Sequence, residues 1–303
     1  MNNKVDWVAV DWGTSSLRTW LLDADNTVLD HKTSDKGMSQ LAQADFEAAL
    51  LDLIGAHLPE ETSTPVIICG MAGARQGWAE APYLETPCPP PGISNSTKVR
   101  TNDSRLEAYI LPGVKQLSPP DVMRGEETQI AGFLAEEPQF SGMLCLPGTH
   151  TKWASLQDGT ITAFRTFMTG ELFALLSNQS VLRYSVESND RNPKAFSEAV
   201  REASAHPIEL TAGLFGIRAA GLVAGQTASE ARGRLSGLLI GSEVAAVLDR
   251  SLTGEIAILG ADKIATAYRD ALQVLGRESR LIDASTTTLR GLQIARKQLQ
   301  ERT

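Results

Sequence analysis

The chain has 303 residues, 42% hydrophobic and 21% charged, and its 28 Lys+Arg against 36 Asp+Glu leave a net charge of −8. At about 150 residues per domain this is a two-domain length, and the mixture excludes a disordered or fibrous chain. The acidic balance argues against nucleic acid or anionic lipid as the main partner, the separated Cys69, Cys88 and Cys145 argue against a disulfide framework or zinc knuckle, and no run approaches the ~18 apolar residues of a membrane span. With no signal peptide at its start, the chain is expected to be soluble and cytoplasmic.

In chain order, residues 5–12 alternate β-branched and aromatic side chains, and 17–22 form a second apolar run. Asp23, Ala24, Asp25 and Asn26 supply a turn, and 27–31 a returning third strand. A helix follows, with Asp45 as its N-cap and Phe46, Leu50, Leu53, Ile54 and Leu58 on one face, until Pro59 stops it. Residues 66–69 read as a short buried strand, so the order βββαβ predicts a mixed sheet covered by helices. The stretch 72–104, with Pro87-Cys88-Pro89-Pro90-Pro91-Gly92 inside it, reads as a long lid or binding loop. A strand at 109–111 follows, and Arg124-Gly125 opens a helix over 126–136 with Ile130, Phe133 and Leu134 facing inward.

From Gly142 the pattern restarts. A strand at 143–146, a tight turn Pro147-Gly148-Thr149-His150, a strand at 152–156, an Asp158-Gly159 hairpin signal and a return at 160–167 repeat the opening order. The repetition suggests a duplicated architecture. Helices dominate up to Asp249, then a strand at 256–259 runs into Gly260-Ala261 and a helix over 263–275. A strand at 281–282 and a last helix over 287–300 end the chain. A hinge at 139–142 would divide a domain 1–139 from a domain 140–303, with the last helix packing back on the first.

Three glycine turns carry the candidate chemistry. In Asp11-Trp12-Gly13-Thr14-Ser15-Ser16 a strand-end carboxylate suits hydrated magnesium, a cation that prefers oxygen. The glycine admits a phosphate to the backbone, and N–H groups with the Thr and Ser hydroxyls cradle its oxygens. A plain hairpin closed by an Asx turn would look the same. The turn 147–150 repeats the device in the second half, and two such hairpins facing each other would grip one triphosphate from both sides. His150 is placed to donate to phosphate, whereas Lys152, which begins a strand, is expected to point elsewhere. Ile258-Leu259-Gly260-Ala261-Asp262 ends a strand in glycine before a helix, which permits close approach of an adenine or ribose.

These three elements resemble the two phosphate motifs and the adenosine motif of the sugar kinase/actin/heat-shock ATPase superfamily. Within it, VDWGTSSLRTWLL, ICGMAGARQGW, RGEETQIAGFL, LPGTHTKW and FMTGELFALL are similar to the 2-dehydro-3-deoxygalactonokinase family along almost the whole chain. The resemblance implies an α/β fold of two ribonuclease H-like domains of the actin/hexokinase type, with a nucleotide cleft between them. The first would bind a sugar acid and the second ATP. Superfamily members usually begin the second turn with Asp-x-Gly-Gly; Pro147 departs from this and leaves Asp11 as the main Mg2+ ligand candidate.

The resemblance also implies a catalytic carboxylate. Arg124-Gly125-Glu126-Glu127-Thr128 is similar to the Gly-x-Glu-Glu-Ala segment of exopolyphosphatases, in which the first Glu activates the nucleophile, and this nominates Glu126, with Glu127 or Glu171 as alternatives. Two acids in a helix's first turn are also favourable with the macrodipole whatever the function. A keto-deoxy sugar acid calls for an arginine fork and planar polar groups. Ser16, Arg18, Arg75, Gln76, Trp78, Arg100 and Glu171 are candidates, Arg75 first, because it lies between two glycines in a loop that follows an apolar strand. The implied reaction is phosphorylation of 2-dehydro-3-deoxy-D-galactonate at C6 by ATP. A phosphohydrolase, a kinase for the gluconate-derived acid and an actin-like switch are the alternatives, and a homodimer face is left open.

Overall fold

A computed structural model describes residues 4–248, 254–260 and 263–302. The chain divides into two compact units. One comprises Met1–Phe140, Gln157–Ala163 and Ala284–Thr303, the other Ser141–Leu156 and Phe164–Asp283.

In the first unit, strands β1 (Trp7–Trp12), β2 (Leu17–Leu22) and β3 (Val28–Ser34) form an antiparallel meander. Asp23 Oδ1 accepts the backbone N–H groups of Asp25 and Thr27, which closes its outer turn. Helix α1 (Phe46–Ile54) returns the chain to β4 (Thr64–Gly70), parallel to β1. Asp45 precedes α1 but its carboxylate accepts from Ala42 N instead of capping the helix, because a preceding 3-10 turn, Gln43–Asp45, already runs into it.

The stretch expected to be one long loop holds β5 (Tyr83–Glu85) and β6 (Thr97–Lys98). Beyond it come β7 (Leu106–Ile110) and a hairpin that the sequence reading did not place, β8 (Gly113–Leu117) with β9 (Pro120–Met123). Its Ser118-Pro119-Pro120 corner masks a strand pair whose alternation is only partly apolar. The main sheet has the order β3-β2-β1-β4-β7-β6, and β5-β8-β9 form a separate small sheet. Helix α2 (Glu126–Glu136) and the last helix of the chain complete this unit.

A second sheet repeats the plan. Strands β10 (Gly142–Leu146), β11 (Thr151–Gln157) and β12 (Thr160–Phe167) form the meander, and Asp158 and Gly159 make its outer turn at φ 49° and 73°, a pair of left-handed residues as a tight hairpin requires. Helices α3 (Thr169–Asn178), α4 (Pro193–Ala205), α5 (Leu210–Val223) and α6 (Ala228–Leu248) precede β13 (Glu255–Leu259), α7 (Lys263–Val274) and β14 (Arg280–Ile282). The sheet order is β12-β11-β10-β13-β14, with β13 parallel to β10 and β14 parallel to β13. Both sheets therefore place the third, second and first strands, then the parallel fourth and fifth, in one order. The fold is α/β, two ribonuclease H-like units, each with a hairpin turn at the end of its first strand.

Both units use glycine to seat a helix pair at close range. In the first, Gly132 of α2 and Gly291 of α8 (Ala284–Gln300) meet the backbones of Thr287 and Thr128, leaving no room for a Cβ at either position. In the second, Gly233, Gly237 and Gly241 line one stripe of α6 against the backbones of Asn192, Phe196 and Val200 in and before α4. Buried aliphatic and aromatic side chains fill the rest, led by Trp7, Trp12, Phe46 and Phe133 in one unit and Trp153, Tyr268 and Phe196 in the other. Among the described residues no helix is long and apolar enough to cross a membrane.

Candidate active site

At the end of β1 the turn 13–16 is closed by Gly13 N donating to Ser16 O at 2.8 Å. The segment 37–39 pins it from outside, with Met38 N and Ser39 N donating to the carbonyls of Gly13 and Thr14, and Gly37 packed directly on the Ser15 backbone. The carbonyls are thus occupied, while the side chains of Thr14, Ser15 and Ser16 stay exposed. A rigid frame with free hydroxyls is suited to an anion.

Asp11, two residues before this turn, is 9% exposed and faces Arg18 in the β1–β2 register, and the two form an ion pair. Cys69 of β4 directs its Sγ at Asp11 Oδ1, 3.9 Å away. Burial pushes the Asp11 carboxyl above its usual range, Arg18 pulls the other way, and the nearby Glu126 adds to the rise. Arg18, expected as a substrate ligand, is thus engaged with the candidate metal ligand.

Glu126 reaches this cluster because two glycines let backbones cross. Gly70 (φ 90°) ends β4 against the Trp12 carbonyl, and Gly125 (φ 109°) at the start of α2 packs on Gly70 Cα. Neither conformation suits a side chain. Glu126, half-buried, accepts Arg124 N at 3.0 Å on Oε2. Glu127 is fully buried and accepts Gly125 N on both oxygens at 2.8 Å. Burial first, and the charge of Glu126 second, raise the Glu127 carboxyl to about 8, so it holds its proton at neutral pH.

Arg75, Gln76 and Arg100 are exposed. Trp78 is a core residue, packed edge-on to Trp12 with ring centroids 6.1 Å apart; its indole fills the space under the loop instead of presenting an open binding face. Arg124 was not among the expected arginines, yet it ties this loop down, stacking on Tyr83 at 4.2 Å and donating from Nη2 to Ala81 O, with its Nη1 buried and unpaired. Its place one glycine before the two glutamates was the available signal.

In the second unit, Gly148 is half-buried, and Thr149 and His150 are exposed at the end of β10. The start of α3 packs on this turn. Gly170 lies so close to the Gly148 carbonyl that no Cβ fits, Glu171 N donates to Thr149 O at 2.9 Å, and the Glu171 carboxylate holds His150 Nε2 at 2.6 Å. Glu171, considered as a base and as a substrate ligand, is thus a partner of His150. Lys152 was expected to point elsewhere. It is buried and curls back, its Nζ 3.3 Å from the His150 carbonyl, because its strand position faces the turn and not the solvent.

Gly260 is half-buried at the end of β13, its N–H bound to Ile282 O at 2.7 Å; Ala261 and Asp262 lie outside the described residues. A cavity of about 610 Å³ opens beside α7, walled by Phe173, Arg191, Arg232, Ile240, Lys263 and Ile264 among others. The size suits a nucleoside. None of these six was foreseen, since α3, α6, α7 and the segment before α4 bring them together from distant stretches of sequence.

A family profile described as 2-keto-3-deoxy-galactonokinase matches residues 11–295. A Rhizobium meliloti (strain 1021) protein named "Probable 2-dehydro-3-deoxygalactonokinase DgoK1" is 40% identical over 295 residues, 95% of this chain and 96% of its own. An Escherichia coli (strain K12) protein named 2-dehydro-3-deoxygalactonokinase is 33% identical over 290 residues, 94% of this chain and 96% of its own. The crystal structure of a Sinorhizobium meliloti protein, assigned by name to the same kinases, superposes with a TM-score of 0.88 at 39% identity, covering 97% of this chain and 99% of that one.

Proposed function

The chain belongs to the 2-keto-3-deoxy-galactonokinase family, and from that premise we propose that it transfers the γ-phosphoryl group of ATP to the C6 hydroxyl of 2-dehydro-3-deoxy-D-galactonate. The observation that carries the reading is the carboxylate cluster of Asp11, Glu126 and Glu127, assembled behind a glycine turn with exposed hydroxyls in a chain that matches the family over residues 11–295.

Glu126 is the base. It is the only one of the two neighbouring glutamates that is partly exposed, and the Arg124 N–H fixes one of its oxygens. The proton held by Glu127 removes one of the two charges that would otherwise oppose each other, and leaves Glu126 to accept the C6 hydroxyl proton. The turn 13–15 offers the exposed hydroxyls of Thr14 and Ser15, and the turn 148–150 offers Gly148, Thr149 and His150, donors of the kind that bind phosphate oxygens. Such donors stabilise the charge spread over the transferring group in a loose, in-line transition state. Lys152 adds a cation at the second turn. The 610 Å³ cavity takes the adenosine. Ser16, Arg75 and Gln76 are offered to the sugar acid from the first unit, and Arg75 is the candidate fork for its carboxylate.

Mg2+ fits the donors present. No group of three or more His, Cys, Asp or Glu side chains among the described residues is arranged to hold a metal by protein ligands alone. Mg2+ keeps several waters and binds through one or two carboxylates plus substrate phosphate, and the buried Asp11 oxygens supply that single hard anchor. When bound, the ion neutralises charge on the phosphates.

The test is ADP release measured with the galactonate-derived acid, with the gluconate-derived acid and with no acceptor. Release that depends on the galactonate-derived acid supports the reading. Equal release without an acceptor would mean a hydrolase, and preference for the gluconate-derived acid would move the substrate to the other C4 epimer.

A further inference from the structure

Glu243 of α6 is 3% exposed and lies among apolar neighbours such as Ile240, Val244 and Val247. A buried carboxylate is costly unless donors meet it, and an apolar residue of similar volume is often as good or better for stability alone. Here the donors come from three separate elements. Trp153 of β11 donates its Nε1–H to Oε1 at 2.6 Å. Tyr268 of α7 donates its hydroxyl to Oε2 at 2.7 Å. Thr169, the first residue of α3, adds its hydroxyl. Tyr268 OH also meets Thr151 Oγ1 at 2.8 Å, so the first and third residues of β11 are both tied to one carboxylate.

These attachment points surround the second glycine turn. Thr151 is the residue immediately after His150. Thr169 immediately precedes Gly170 and Glu171, whose backbones pack on Gly148 and Thr149. Thr169, Gly170 and Tyr268 also line the 610 Å³ cavity. The strand that leaves the turn and the helix that buttresses it therefore end on the same side chain, which itself lines neither the turn nor the cavity.

We propose, on the reading of 147–150 as a phosphate-binding turn, that Glu243 is a positioning residue for nucleotide: it fixes β11 and the start of α3 in one register so that the Gly148–His150 donors converge. Its influence runs through Trp153, Tyr268 and Thr169, and it falls on ATP, not on the sugar acid.

The test compares full-length wild type with Glu243→Leu, Glu243→Gln and Thr169→Val, reading melting temperature, kcat and the two KM values. In Glu243→Leu that is folded by circular dichroism, KM for ATP rises about tenfold or more, since small misplacements of binding groups carry effects of up to about 100-fold. KM for the sugar acid stays within about twofold. Glu243→Gln, whose amide oxygen still receives the Trp153 N–H while the hydroxyls of Tyr268 and Thr169 turn to accept, recovers most of the ATP affinity. Thr169→Val, which cuts only the α3 arm, gives a smaller rise of about threefold. Unchanged KM for ATP in a folded Glu243→Leu would overturn the inference, as would equal losses in both KM values that follow the fall in melting temperature. If Glu243→Leu does not fold, Thr169→Val with wild-type KM for ATP overturns it alone. Wild type serves as the control for the function itself: no ATP turnover with the sugar acid would refute the kinase reading, whereas turnover with insensitive variants refutes only the role of Glu243.

Discussion

The two glycine hairpins differ at one cross-strand pair. In the first unit Asp11 faces Arg18 across β1 and β2, and the two charges compensate each other. In the second, the corresponding register pair is Leu146 and Lys152, so no carboxylate comes from the facing strand, and the ammonium turns back to the turn carbonyl of His150. The surroundings follow the same division. Glu126 stands near Asp11, with Glu127 beside it, whereas His150 and Lys152 stand at the second turn. One backbone device thus carries two electrostatic settings: an acidic one suited to a cation and to a hydroxyl proton, and a more basic one suited to phosphate oxygens.

The comparison breaks most visibly at Glu126. Glu126→Gln removes the proposed base without altering the size of the side chain, and kcat should fall about 100-fold or more while calorimetry finds the affinity for an ATP analogue unchanged; wild-type turnover would strip Glu126 of its role. Asp11→Asn leaves Arg18 without its facing carboxylate. Steady-state titration should show a Mg2+ requirement raised about tenfold or more, and an unaltered Mg2+ dependence would move the metal anchor elsewhere. On the basic side, Lys152→Met should raise KM for ATP about tenfold with KM for the sugar acid unchanged, the scale expected for losing one charge-assisted contact of about 1.5 kcal/mol.

A pH series sharpens the acidic half. The Glu127 carboxyl is raised to about 8 in the folded protein from an ordinary value near 4.5. The native state therefore holds a proton that the unfolded state has released, so this group's contribution is full below about pH 4.5 and is lost as pH rises through 8. Glu127→Gln should flatten the fall in melting temperature between pH 5 and pH 8, as checked by scanning calorimetry; an identical slope in the variant would show that the carboxyl is ionised when folded.

Much of the frame was legible because it is local. Turn residues at Asp23–Asn26 and Asp158-Gly159, the apolar strands around 66–69 and 143–146, and the helix beginning at Glu126 all announce themselves within a few residues. The hairpin of β8 and β9 did not, since its partners and its proline corner only make sense beside β5. The candidate site divides in the same way. Gly13, Thr14, Gly148 and Thr149 are readable as turns, but Trp78 looked like a ligand and is core, because a loop tryptophan does not reveal which way it faces. Glu171 was expected as a base or a substrate contact, and its bond to His150 is legible only in the folded chain. Glu243 carried a faint signal, the one acid in the small and apolar run 237–248, but its three donors lie 74 to 90 residues upstream and 25 downstream in β11, α3 and α7, a juxtaposition only the folded chain makes.

The central claim is most directly tested by the chemical fate of the γ-phosphoryl group. Phosphorus NMR of wild-type enzyme with Mg2+, ATP and 2-dehydro-3-deoxy-D-galactonate should show ADP appearing together with a phosphomonoester whose signal is split by the two C6 protons. Growth of inorganic phosphate in place of that ester, at a rate indifferent to the sugar acid, would contradict it.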